Sequence, residues 1–187
     1  MRDSTIYDAL AGLLTYPEVD YPRRIEAILR LAPAECREDL ERFSRLVRDL
    51  ATDPMQELFT RTFDLNPVCS LELGWHLFGE NYERGLLLVR MREELRRYRL
   101  GESSELPDHL THVLRLVAQM EQERARDFVA ACVLPALEKM LQAMRGKDNP
   151  FEYVLVATRN LLHSDFAELL LVSAEDEPLL KVLSIKD

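Results

Sequence analysis

Asp108, His109 and His112 are the residues best spaced for chemistry in this chain. Two imidazoles three apart on a helix share a face and can ligate one transition metal. A catalytic metal needs a third well-placed ligand and an open position. Nothing nearby supplies that ligand, and His76 and His163 are remote in sequence. Asp108 also has a plainer use. In the first turn of a helix opened by Pro107, a carboxylate meets the positive end of the macrodipole, a gain of roughly 0.3–1 kcal/mol. A metal-dependent helical hydrolase built on His109 and His112 is therefore an alternative reading. No metal ligand or catalytic residue is assigned, and no cofactor is expected.

Nucleophilic catalysis fares no better. Cys69 and His76 are seven apart, two helical turns, too far to hydrogen-bond along one helix. The chain holds no Gly-x-Ser-x-Gly elbow, P-loop or dinucleotide fingerprint. Glu72 and His76, at i and i+4, can pair and raise the histidine's proton affinity, although such pairs more often support a helix. Cys36, Cys69 and Cys132 are scattered and odd in number. They do not make a disulfide framework or a cysteine zinc site; they fit a reducing cytoplasm and the role of small buried hydrophobes. The chain is expected not to be an enzyme.

Recognition is the remaining chemistry. Phe59, Phe63, Trp75, Phe78, Tyr82 and Tyr98 cluster in the middle of the chain, near a loop bearing Glu102 and Glu105. Most aromatic residues belong to cores, but an apolar groove rimmed by acids suits an amphipathic or basic peptide. A formal charge of −9 disfavours nucleic acid as a partner. The segment Glu83 to Arg99 runs the other way, with six arginines against three glutamates. That pattern is ordinarily a solvated helix face with Glu–Arg pairs. A helical scaffold read through Arg92, Arg96 and Arg99 is a further alternative.

The elements that must position these residues are helices. Leu, Ala, Glu and Arg dominate, all good helix formers, and no apolar run alternates with period two. At 187 residues, 47% hydrophobic and 30% charged, the chain fits one soluble domain with a sizeable core. Apolar spacing predicts a first helix capped by Asp3 or Ser4, with Ile6, Leu10, Leu13 and Leu14 inward, and a second from Pro22 to Pro33. A third, from Ala34 to Ala51, carries Leu40, Phe43, Leu46, Val47 and Leu50. A fourth follows Pro54, with Leu58, Phe59, Thr62 and Phe63 inward. "DLNPVC" breaks the pattern. Leu71, Gly74, Trp75 and Phe78 then share a helical face, and Leu88, Met91, Leu95 and Tyr98 the next.

Pro107 is expected to open a helix with Leu110, Val113, Val117 and Met120 inward. Another runs from Glu123 to Met144, kinked at Pro135. Gly146 stops it, and Asn149, Pro150 and Glu152 start the last, which buries Phe151, Val154, Leu155, Thr158 and Leu162. The expected architecture is all-α, a single-domain bundle of about eight or nine helices over residues 1–172. An acidic tail, 173–187, follows. No apolar run approaches the roughly 20 residues of a membrane span, and "MRDSTIYDALAGLLTYP" lacks the features of a secretory signal. A cytoplasmic protein without membrane insertion is expected.

The order of three motifs is more specific. "YDALAGLLTYP", "FTRTFDLNPVCSLELGWHLFGENYERGLLLVRM" and "ELPDHLTHVLRLV" together resemble the NarJ-type nitrate reductase molybdenum cofactor assembly chaperones, within the TorD/DmsD family of redox-enzyme maturation proteins. The resemblance spans roughly residues 4–163, and "NPFE" is similar to the start of that family's final helix. By position the family's motif residues fall on Phe63, Asp64, Ser70, Leu71, His76, Gly79, Arg84, Gly85, Pro107, Asp108, His109 and Leu110. Leu73 to Trp75 departs from the pattern, where tyrosine or phenylalanine is commoner.

The resemblance implies a cytoplasmic, non-enzymatic, all-helical chaperone. Its partner would be the apo catalytic subunit of a molybdenum-dependent oxidoreductase, bound through its N-terminal peptide. The chaperone would assist cofactor insertion before membrane docking or export. Family members serve nitrate, selenate, chlorate, dimethyl sulfoxide and ethylbenzene enzymes. The residues expected to bind the client peptide are Phe59, Phe63, Asp64, Trp75, His76, Tyr82, Arg84, Glu105, Pro107, Asp108, His109 and Leu110.

Overall fold

The computed structural model describes residues 3–170. Among them are ten α-helical segments and no β-strand: α1 (Ser4–Leu13), α2 (Tyr21–Leu31), α3 (Ala34–Val47), α4 (Thr52–Phe59), α5 (Leu73–Phe78), α6 (Tyr82–Arg97), α7 (Leu110–Gln119), α8 (Gln122–Phe128), α9 (Leu134–Met144) and α10 (Phe151–Leu170). The expected boundary at 172 and the acidic tail lie outside the described residues. One hydrophobic core runs through the bundle. α10 packs most extensively on α3, and α1 on α7 and α2. None of these helices is long and apolar enough to cross a membrane.

Local chemistry sets the helix ends. Asp3 caps α1 by accepting the Thr5 N–H at 2.9 Å. Asn149 caps α10 through the Phe151 N–H at 3.0 Å. Gly146, past the end of α9, takes φ +70°, the left-handed geometry glycine enters without a Cβ clash. All three cysteines are buried and unpaired.

Among the described residues two single π turns continue α-helices, and the second lies just ahead of a proline. The first, Thr60–Asp64, extends α4 and closes with Leu65 N–H donating to Thr60 O at 2.9 Å. The second, Val129–Val133, joins α8 to α9, whose first turn holds Pro135. A proline cannot donate to the helical ladder and crowds the preceding turn. One wider turn absorbs the mismatch, so where a kink or break at Pro135 is expected the structure holds a π bulge in a continuous helical run.

Several expected faces shift. α3 ends at Val47, and Leu46 and Leu50 are exposed; the covered stripe is Cys36, Leu40, Phe43 and Val47, on the helix that α10 packs against. Leu58 is only partly buried, and Met55 takes its place in the core. α6 buries Leu87, Met91, Glu94 and Leu95, with Leu88 and Tyr98 only partly covered. α5 begins at Leu73, so Leu71 precedes it; Leu73 and Gly74 are buried, while Trp75 and Phe78 are half-exposed. Pro107 does not open α7. That helix starts at Leu110 with His109 as its cap, which leaves Asp108 outside the first turn and free to serve another helix.

Candidate functional site

The segments around residues 70 and 108 are joined by a short antiparallel bridge. Leu73 N–H donates to Asp108 O at 3.1 Å, and Leu110 N–H to Leu71 O at 2.8 Å, pairing Glu72 with His109. Within this bridge the fully buried Asp108 accepts the Gly74 N–H through Oδ2 at 2.7 Å. The carboxylate thus satisfies an otherwise orphaned donor at the start of α5. A Cβ on Gly74 would lie 2.7 Å from that oxygen and 3.1 Å from Arg84 Cγ. Glycine is needed there so that the carboxylate and the arginine stem can close over the helix backbone. Burial raises the Asp108 pKa.

Beside the bridge opens a cleft of about 490 Å³. Phe59, Phe63 and Trp75 supply its aromatic surface, Asp64, Glu72 and Glu105 its carboxylates, and Arg84 and His109 its nitrogen groups. The aromatic side continues into the core. Phe63 meets Phe59 at 5.0 Å between centroids and Phe151, the first residue of α10, at 4.9 Å, both edge-on. The Arg84 guanidinium lies over the Trp75 ring, 5.4 Å from its centroid, a cation–π geometry. Ser70 Oγ donates to the Glu72 carboxylate. Burial, and then the neighbouring Asp108 charge, raises the Glu72 pKa.

The structure does not bring all the expected site residues together. Phe59, Phe63, Asp64, Trp75, Arg84, Glu105 and His109 line the cleft together. Pro107, Asp108 and Leu110 are buried behind it and form its scaffold. Tyr82 stands exposed on α6. His76 faces away with Lys139, Gln142 and Ala143. It does not pair with Glu72: its Nε2 donates to Ser70 O at 2.7 Å, because the chain enters α5 only at Leu73 and the helical i, i+4 relation does not apply. Burial lowers its pKa. Leu14, Thr15, Tyr16, Pro67, Ser70, Leu71 and Glu72 complete the wall and were not anticipated as site residues. The "TYP" after α1 reads as a helix stop, and only tertiary contact brings it to Phe59, 5.8 Å from Tyr16.

The two histidines that suggested a metal are held by hydrogen bonds. Thr111 N–H donates to His109 Nδ1 at 3.3 Å, which caps α7. Ser103 N–H donates to His112 Nε2 at 3.0 Å, and His112 Nδ1 donates to Leu106 O at 2.9 Å. Each ring spends a lone pair on a backbone donor. Burial, and then His112, lowers the His109 pKa to about 4. No group of three or more His, Cys, Asp or Glu among the described residues could hold a metal ion.

These features define an all-α, single-domain protein with a recessed aromatic cleft bordered by carboxylates. The family profile described as "Nitrate reductase delta subunit" matches residues 30–157. Over 179 residues the chain is 31% identical to the "Nitrate reductase molybdenum cofactor assembly chaperone NarJ" of Escherichia coli strain K12, covering 90% of this chain and 76% of that one. It is 26% identical over 125 residues to the "Probable nitrate reductase molybdenum cofactor assembly chaperone NarJ" of Bacillus subtilis strain 168, covering 64% of this chain and 68% of that one. The chain belongs to the nitrate reductase delta subunit family and is of the NarJ type.

Proposed function

We propose that this chain is a cytoplasmic assembly chaperone for a nitrate reductase-like molybdoenzyme, and that its cleft holds the N-terminal segment of the apo catalytic subunit. The observation that carries the reading is the cleft itself: an aromatic floor continuous with the core, bordered by Asp64, Glu72 and Glu105. Apolar anchors of an amphipathic peptide would fill the floor while its basic residues meet the carboxylates. Holding that segment keeps the subunit open for insertion of the molybdenum cofactor before membrane docking or export. Release requires only that the folded client hide the segment. The relatives named as molybdenum cofactor assembly chaperones support this role.

Calorimetry with a peptide of the first twenty or so residues of a nitrate reductase catalytic subunit tests the reading. Binding is expected without added metal or nucleotide and is expected to weaken at least tenfold in Trp75→Ala and in Asp64→Asn combined with Glu105→Gln. The chain holds one tryptophan, so its fluorescence reports occupancy of the cleft directly. No heat and no fluorescence change with several such peptides would overturn the proposal.

A further inference from the structure

Residues 171–187 follow α10, beyond the described part of the chain, and their sequence falls into two halves. Glu175, Asp176 and Glu177 form an acidic run closed by Pro178. The stretch after it, "LLKVLSIK" (Leu179 to Lys186), interleaves apolar residues with Lys181 and Lys186. That is the chemistry the cleft suits: apolar side chains for the floor of Phe59, Phe63 and Trp75, and cations for Asp64, Glu72 and Glu105. Within a chain of net charge −9, an apolar segment whose only charges are positive needs a cause.

The geometry lets this segment reach the cleft. α10 begins against the cleft floor, where Phe151 packs on Phe59 and Phe63, and runs away from it for 20 residues, about 30 Å. α1 lies alongside and leads back. Tyr7 Oη donates to Asp165 near the far end of α10 at 2.7 Å, and Leu14, Thr15 and Tyr16 line the cleft. The chain leaving Leu170 therefore has about 30 Å to return. Ten residues of extended chain span up to about 33–36 Å, so Leu180 and the residues after it come within reach. The acidic run selects which part enters. Its charges extend the chain and are repelled by the carboxylates of the rim, so the segment that settles begins after Pro178.

We propose that residues 179–186 occupy the cleft of their own chain when no client is present, and that the client's N-terminal segment binds by displacing them. The inference rests on the reading of the cleft as a client-peptide site. Tethering holds the segment near the cleft at an effective concentration in roughly the millimolar range, so a weak match suffices to close it. The closed cleft covers Trp75 and sets a threshold. A peptide must outcompete the tethered segment, and loosely matched apolar-basic sequences do not.

The test compares the full chain with a variant carrying Leu180→Ser and Leu183→Ser, which leaves every residue of the cleft in place. Trp75 emission of the free protein is expected to move toward that of a solvent-exposed indole in the variant. A synthetic peptide of residues 178–187 added to the variant is expected to reverse that shift. The client's N-terminal peptide is expected to bind the variant about tenfold more tightly than the unsubstituted chain. Lys181→Glu combined with Lys186→Glu is expected to act in the same direction, since it turns attraction to the rim into repulsion. Identical Trp75 emission in the full chain and the variants would overturn the proposal, as would unchanged affinity for a client peptide that binds. So would an emission that depends on protein concentration, which assigns the cleft to the segment of a second copy. Failure of the cleft reading looks different: client peptides leave Trp75 unchanged while the 178–187 peptide still moves it.

Discussion

His109 caps α7 with an unprotonated nitrogen, so the cap and the charge state of the ring are the same property. Its pKa is held down to about 4 from an ordinary 6.5, and the unfolded chain therefore binds a proton that the folded one refuses between those values. Folding stability rises with pH through that window and is lost as pH falls, by up to about 3 kcal/mol. His109→Asn keeps a good cap and removes the titration. Urea unfolding at pH 7 and pH 4.5 is expected to show a markedly smaller loss for the variant; an unchanged loss would assign the acid sensitivity elsewhere. Asp108 makes a second residue-scale case. Its buried carboxylate holds α5 through the Gly74 N–H, while Oδ1 has no partner. Asp108→Asn keeps an acceptor oxygen and is expected to leave stability within about 1 kcal/mol, whereas Asp108→Ala strands the buried donor and costs about 1–3 kcal/mol. Equal losses in the two variants, measured by thermal unfolding, would exclude the hydrogen bond as the cause.

At the scale of the elements, the ends of helices were readable where a side chain or a glycine makes the cap, as at Asp3, Gly146 and Asn149. The end of α6 was not. Arg99 N–H donates to Arg96 O at 3.0 Å and Leu100 N–H to Leu95 O at 2.8 Å, with Arg99 in left-handed geometry at φ +56°. This is the hydrogen-bond pattern usually closed by glycine, and no residue type here announces it. Arg99→Gly is expected to raise stability by about 0.5–1 kcal/mol, since the Cβ penalty removed exceeds glycine's extra chain entropy. A lower melting temperature would show that the arginine side chain contributes more than its backbone costs. The start of α7 was misplaced for a related reason. Proline favours a first helical turn, but Asp108 is drawn into α5 and the chain turns helical only after His109.

At the scale of the whole molecule, the cleft wall differs in depth. Phe63 is buried and packs on Phe151 at the head of α10, so it belongs to the core and the cleft together. Trp75 is half-exposed and lines the cleft from outside the core. Phe63→Ala is expected to cost about 3–5 kcal/mol of stability and to weaken peptide binding at the same time. Trp75→Ala should remove binding while stability changes by no more than about 1 kcal/mol. Chemical denaturation beside peptide titration separates the two, and a large stability loss in the Trp75 variant would place that ring in the core. The seven expected residues that line the cleft come from α4 and its π turn, α5, α6, the loop before α7 and the α7 cap, elements that the Glu72–His109 bridge pulls together.

Composition and apolar spacing determined by themselves that this chain is helical, roughly where its helices lie, and which stripes of α1 and α10 are buried. Those properties depend on neighbours three or four residues away, which a linear reading can see. The tertiary structure decided the rest. Whether Trp75 is core or cleft depends on what packs opposite, and the partner of Glu72 depends on where α5 begins. The Asp108 carboxylate is committed by a backbone donor 34 residues earlier. The wall at Leu14 to Tyr16 exists because α1 packs against α7, a contact between residues far apart in sequence that no local pattern encodes.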